Sequence, residues 1–250
     1  MRGVGVGPRP RIARASGLGA AVEVAVADPN EMANPKVVLC YGDSNTWGYD
    51  PVSRERLGPT RRWTGVLART LGSGYRVIEE GLNGRTTVFD DPLSPGRNGL
   101  TYLVPCLESH CPVDLVTIML GTNDLKERFG HSASDIAEGA GLLADFAKRY
   151  ARRADGRPAE ILLMAPPPIV TLTDFDLMFA GADEKSRRFG TYYGRVAQWN
   201  GVAFLDAGEV ITSSELDGIH FEAGEHRKLG EAVAAKARDL IGGDSRLTTP

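Results

Sequence analysis

Five short apolar runs, each closed by a turn or polar cluster and alternating with stretches of helical spacing, constrain this chain more than any other feature. Val37-Val38-Leu39-Cys40-Tyr41 ends at Gly42 without polar alternation, the pattern of a strand buried on both faces. Trp63, Val66, Leu67 and Leu71 then recur at helical spacing, and Tyr75 to Glu79 reads as a second strand. Leu100, Leu103, Val104 and Leu107 predict a helix that Pro105 should bend or interrupt. Val113 to Leu120 (VDLVTIML) is the clearest strand. Ile136, Ala140, Leu143, Ala147 and Tyr150 mark a long amphipathic helix behind a Ser132–Asp135 start signal. Ile161 to Met164 gives a fourth strand, closed by three prolines. Asp183 to Trp199 predicts one helix, Val202 to Leu205 the fifth strand, and Leu229, Val233, Ala237 and Leu240 a closing helix.

Strands alternating with helices imply a parallel sheet covered on both faces. The expected fold is α/β, a single doubly wound (flavodoxin-like) five-stranded parallel sheet with helices on both faces, spanning residues 33–243. Residues 1–32 read as a flexible extension, with Met32 as the natural start, and 244–250 as a tail. The basic start and the stretch Ser16 to Ala27 have the outline of an export signal, but Glu23 interrupts it and no Leu or Ile run is present. A cytoplasmic location is therefore expected. Cys40, Cys106 and Cys111 form no CxxC and are too few for a disulfide framework or a zinc cage, so they are read as idle thiols in a reducing compartment. A net charge of −3 (29 basic against 32 acidic side chains) excludes a protein built chiefly to bind nucleic acid, and no apolar run is long enough to span a membrane.

Folds of this kind carry their sites on loops beyond the carboxyl ends of the strands. Those loops read Gly42-Asp43-Ser44-Asn45-Thr46, Gly81-Leu82-Asn83-Gly84-Arg85, Gly121-Thr122-Asn123-Asp124 and, after strand five, Asp217-Gly218-Ile219-His220. A serine in a tight strand-to-helix turn can present its Oγ above the sheet, but it needs a base within hydrogen-bond reach. Of four histidines, His220 follows strand five and has a carboxylate three residues upstream, Asp217, able to accept from its Nδ1–H. Gly84 lets its N–H approach a substrate, and Asn123 carries an amide, so both are candidate oxyanion donors with the Ser44 N–H. Taken singly, Gly-Asp-Ser is more often a plain turn and Asp-x-x-His a surface pair. Their convergence on one rim is what favours chemistry.

These four blocks, GDSN (42–45), the glycine of GLNGR (81–85), GTND (121–124) and DGIH (217–220), resemble the GDSL-type, or SGNH, hydrolases, in the same order and across the whole domain. Asn45 stands where that family's name has leucine. YGDSNTWGYDP, RRWTGVLA, VIEEGLNGRTT, NGLTYLVPCL and TIMLGTNDLK are similar to the bacterial arylesterase/acyltransferase branch, which includes perhydrolases. The resemblance implies Ser44 as nucleophile, His220 as acid/base, Asp217 as its orienter and an oxyanion hole of Ser44, Gly84 and Asn123. It also implies no metal or cofactor, small ester and alcohol substrates of acetyl type, acyl transfer to alcohols or hydrogen peroxide, and a homo-oligomer.

Specificity is less legible. Ile169 to Gly190 is long for a simple connection and carries Leu172, Phe175, Leu177, Met178 and Phe179. It reads either as a pocket wall or subunit contact, or as a surface helix packed on the core. Trp47, Tyr49 and Ile219 are further candidates for the acyl pocket, with Phe175, Met178 and Phe179. Arg85, Asp124 and Lys126 read as ions that orient loops, and His110 and His131 as surface residues. Glu222 and His226 lack a third well-spaced metal ligand. The alternatives are a carbohydrate or lipid O-deacylase on the same machinery, and a non-enzymatic ligand-binding α/β protein, for which no GxGxxG or P-loop speaks.

Overall fold

A computed structural model describes residues 34–243; the extension, the export reading and the tail lie outside them. Five strands, β1 (Lys36–Gly42), β2 (Tyr75–Gly81), β3 (Leu115–Met119), β4 (Glu160–Ala165) and β5 (Ala203–Asp206), form one sheet in the order β2-β1-β3-β4-β5. Every neighbouring pair is parallel, with Val38 opposite both Val77 and Leu115 and Val116 opposite Ile161. The helices are α1 (Ser44–Trp47), α2 (Trp63–Leu71), α3 (Gly99–His110), α4 (Ala133–Tyr150), α5 (Ala182–Ser186), α6 (Phe189–Asn200) and α7 (Ala223–Ala237).

The continuous apolar runs serve two cores at once because successive strand residues face opposite ways. Leu39, Tyr41, Val116, Ile118 and Leu163 pack with Leu103 and Leu107 of α3, Ile136 and Leu143 of α4, and Tyr193 of α6. Val38, Cys40, Leu115, Met119 and Met164 face the other way, onto Trp63 and Leu67 of α2 and Leu229 and Val233 of α7. The strand order reverses direction of winding at β1/β3, which brings the loops after β1 and β3 side by side at the carboxyl edge. Among the described residues no helix is long and apolar enough to cross a membrane.

Two local expectations need correction. Helix α3 runs unbroken through Pro105. The missing N–H would have met the Thr101 carbonyl, and both residues are exposed, so the freed acceptor is not sealed away from solvent, while Leu103, Cys106 and Leu107 hold the buried seam. The stretch 183–199 is two helices, not one. Ser186 Oγ donates to the Asp183 carbonyl and accepts from the Ile169 N–H, both at 2.9 Å, and Arg188 N–H bonds back only three residues to Lys185. A serine hydroxyl competing for backbone groups, with the last turn tightened, ends α5 there. The start of α4, by contrast, is the capping box expected from Ser132 and Asp135.

His226 of α7 is wholly buried, and its Nδ1 accepts from the Trp63 N–H at 3.2 Å, capping α2, whose Arg62 supplies no side-chain cap. Glu222 instead accepts from Ser214 Oγ, so these two residues do not converge on a metal. Burial pushes the His226 pKa down to about 4. The unfolded chain takes up this proton near 6.5, so between those values it binds more protons than the folded chain, and stability rises with pH. This contribution is complete above the unfolded pKa and lost as pH falls toward 4, a change of about 3 kcal/mol. Urea unfolding at pH 7 and pH 4 should therefore give a larger acid loss for the wild type than for His226→Asn. Parallel losses would exclude this histidine as the cause.

Candidate active site

At the end of β1, a Cβ on Gly42 would lie 2.0 Å from Thr46 Oγ1 and 2.9 Å from the Met119 carbonyl, so glycine is what lets α1 close against the strand. Asp43 caps that turn by accepting from the Asn45 N–H at 2.9 Å, and burial pushes its carboxyl up to about 6 in spite of that bond. Ser44 opens α1 and is buried. Since α1 is a single turn, individual N–H groups rather than a helix dipole must supply any positive potential at Ser44. Asn45 Nδ2 donates to the Ile219 carbonyl at 3.4 Å, tying the serine turn to the loop that carries His220.

That second loop is built by local chemistry. Gly218 adopts φ +83°, where a Cβ would also lie 2.8 Å from the Thr171 carbonyl. The turn lets Asp217 Oδ1 accept from the N–H groups of Ile219 and His220, each at 2.9 Å. Its Oδ2 lies 2.7 Å from His220 Nδ1, and His220 Nε2 lies 2.9 Å from Ser44 Oγ. Burial opposes ionisation of Asp217, but the bonds from His220 and Ile219 outweigh it and hold the carboxyl below its ordinary range. An ionised carboxylate only accepts, so the proton sits on Nδ1 and Nε2 is left to accept from the Ser44 hydroxyl. An uncharged serine can thus pass its proton to an imidazole whose developing charge faces a carboxylate.

The neighbouring loops bring polar hydrogens to the same place. Gly84 lies at φ +80°, in the left-handed region. Arg85 donates to the carbonyls of Gly42, at 2.9 Å, and Glu80, while its guanidinium rests 4.2 Å above the Tyr41 ring. Asn123 Nδ2 donates to the Arg85 carbonyl at 3.2 Å, which fixes the amide by one hydrogen and leaves the second. Asp124 accepts from the Thr87 N–H at 3.0 Å and from its hydroxyl, and burial pushes its carboxyl up to about 6. Lys126 and Arg128 pair with buried Asp91 at 3.2 and 2.7 Å. Burial raises the Asp91 pKa, but these cations and the Leu93 N–H more than offset it, to about 2. Arg85, Asp124 and Lys126 therefore all have the loop-fixing partners expected of them.

A cavity of about 220 Å³ opens over Ser44 and His220 and is also lined by Gly84 and Asn123, with Tyr49, Phe175, Met178, Phe179 and Ile219 as its apolar wall. The Tyr49 ring lies 4.2 Å from the His220 ring and that of Phe175 lies 6.2 Å away. Trp47 is not in this wall. Gly48, at φ +91°, turns the chain between Trp47 and Tyr49, and the indole lies beneath the Arg56 guanidinium at 5.0 Å instead. The 169–190 segment is neither a plain connection nor one surface helix. Val170 N–H donates to Gly218, Thr173 Oγ1 to the Leu216 carbonyl, and Met178 accepts from the Glu127 N–H, at 3.0, 2.7 and 2.8 Å. It is thereby stitched to the loops after β3 and β5, with Leu172 packed on the core and Leu177 exposed. Asn83, Thr122 and Lys126 also line the cavity. Sequence reasoning passed over the first two and read the third only as an ion, although each flanks a candidate residue on the same rim.

The aryl esterase of M. smegmatis is similar over 82% of this chain and 100% of its own, at 43% identity and a TM-score of 0.79. A carbohydrate acetylesterase from Sinorhizobium meliloti is similar over the same shares, at 42% identity and a TM-score of 0.79. Curated proteins give no significant match. The profile of the GDSL-like lipase/acylhydrolase family matches residues 40–228, from the last residues of β1 through the first turns of α7. With that match spanning most of the chain, and with solved relatives above 40% identity, this protein belongs to the GDSL-like lipase/acylhydrolase family and is a carboxylic ester hydrolase.

Proposed function

We propose that the protein hydrolyses short-chain, acetyl-type esters of aryl or alkyl alcohols through an acyl-enzyme on Ser44, and transfers the acyl group to alcohols or hydrogen peroxide as well as to water. The observation that carries this reading is the unbroken chain Asp217–His220–Ser44 at the floor of a small, largely apolar cavity. Ser44 Oγ attacks the ester carbonyl as its proton passes to His220 Nε2, and Asp217 balances the imidazolium. The tetrahedral oxyanion is held by the N–H groups of Ser44 and Gly84 and the second Asn123 amide hydrogen. Collapse breaks the acyl C–O bond, and the leaving alkoxide takes the proton back from His220. Water, an alcohol or hydrogen peroxide then gives its proton to His220 and attacks the acyl-enzyme; the Ser44–acyl bond breaks as His220 returns that proton to Ser44 Oγ, and acid, ester or peracid is released.

A cavity of about 220 Å³ is smaller than the ~300–1,000 Å³ of typical ligand sites. That supports a short acyl group, and the aromatic wall supports slow entry of water relative to an alcohol. A carbohydrate acetate is the second reading, favoured by the Sinorhizobium meliloti relative at 42% identity; it keeps the machinery and changes only the alcohol. The same reading takes the chain as a cytoplasmic homo-oligomer, supported by its free thiols and by exposed Leu177 and Trp199.

The test compares p-nitrophenyl acetate with the octanoate, with and without benzyl alcohol. Faster acetate turnover and formation of benzyl acetate in water are expected. Faster octanoate turnover would overturn the short-chain assignment, and phenol release with no benzyl acetate would overturn the transfer step.

A further inference from the structure

Outside the serine site, three different metal-ligating chemistries meet at the edge of the sheet. Glu80 lies near the end of β2, which has a neighbour on one side only. Cys106 and His110 lie one turn apart on α3, so both project from the same helical face toward that edge. The donor atoms of Glu80, Cys106 and His110 all lie within 4.8 Å of one another, and His110 Nε2 is 2.8 Å from Glu80 Oε1. Among the described residues this is the only such cluster, and the ester-hydrolysing machinery uses none of it.

We infer that Glu80, Cys106 and His110 form a binding site for a divalent cation of the zinc class. A thiolate, an imidazole and a carboxylate are the donor set that suits zinc, whose bonds of about 2.0–2.3 Å place tetrahedral ligands about 3.5 Å apart. His110 Nε2 and Glu80 Oε1 are closer than that, at 2.8 Å, and every pair lies within 4.8 Å, so small rotamer shifts suffice. Tyr102 donates to Glu80 Oε2 at 3.3 Å and so orients the carboxylate from outside, as outer partners of metal ligands do. Cys106 is buried while His110 and Glu80 are half-buried, which leaves the fourth position to water on the solvent side. Arg85 stands close by, its guanidinium 5.4 Å from the Tyr102 ring, and is held by main-chain carbonyls. Its charge does not oppose the complex, because one thiolate and one carboxylate neutralise the dication. Uptake displaces the thiol proton of Cys106, while His110 stays a neutral imidazole that binds through Nε2 and keeps its one N–H on Nδ1.

By sequence alone the cysteines read as idle thiols and His110 as a surface residue. The i, i+4 pair Cys106/His110 was visible in the chain, but its third member comes from a strand 26 residues earlier.

The experiment titrates the full-length protein with Zn²⁺ in competition with a chromophoric chelator, and with Co²⁺ followed by absorption. One equivalent is expected, with a thiolate-to-cobalt charge-transfer band. Cys106→Ser should abolish the band. His110→Gln, at a partly exposed position, should weaken Zn²⁺ binding by at least about 100-fold, the upper range for losing even an outer partner, while hydrolysis of p-nitrophenyl acetate without added metal stays unchanged. Wild-type affinity in His110→Gln, or a cobalt spectrum without a thiolate band, would overturn the assignment.

Discussion

Ser44→Ala is expected to lower kcat for p-nitrophenyl acetate by roughly 10⁵–10⁶-fold, the scale of losing a nucleophile that acts as one unit with its base. The change removes one hydroxyl and leaves the Ser44 backbone N–H and the cavity wall in place, so the fold and substrate binding should persist. What remains is the modest acceleration provided by the oxyanion donors and by holding the ester near water. Because His220 Nε2 has no other task at 2.9 Å from that hydroxyl, adding His220→Ala should cost nearly nothing further. Kinetics with each single and the double variant, alongside thermal unfolding, check this. A folded Ser44→Ala enzyme retaining more than about 1% of wild-type kcat would remove Ser44 as the nucleophile.

Asp217→Asn should reduce kcat by about 10⁴-fold without unfolding the protein. The reason lies in how the loop uses the two carboxylate oxygens. Oδ1 accepts two backbone N–H groups, while Oδ2 faces His220 Nδ1 at 2.7 Å. In the variant the amide oxygen must stay with the two N–H donors, which turns its NH₂ toward Nδ1. Nδ1 can then only accept, the ring proton moves to Nε2, and the base facing Ser44 becomes a donor. An Asp217→Asn enzyme with wild-type unfolding temperature and kcat within about tenfold of wild type would mean that Asp217 does not set the tautomer.

Much of the fold was legible because its determinants are local. Strand placement followed from apolar runs that have to face two cores, and the α4 start followed from a cap that needs only residues 132–135. The errors lay where local patterns compete with tertiary partners. Pro105 costs little on a solvent face, and Ser186 ends a helix because Ile169 offers it an N–H. Neither the exposure of Pro105 nor the position of Ile169 is written in the adjacent sequence.

The site divides in the same way. The chain alone determined the four rim blocks, their order, and the Asp217–Gly218–Ile219–His220 turn, whose hydrogen bonds close within four residues. Only the tertiary structure decided that His220 meets Ser44 across 176 positions, that Tyr49 rather than Trp47 walls the cavity, and that the 169–190 segment bounds it. It also decided that Glu80 joins Cys106 and His110. Turns and caps are set by bonds that span a few residues, so sequence spacing encodes them. The direction of a side chain after a left-handed glycine, and the volume left between packed segments, depend on elements far apart in the chain, and these are fixed only when the sheet and its two cores assemble.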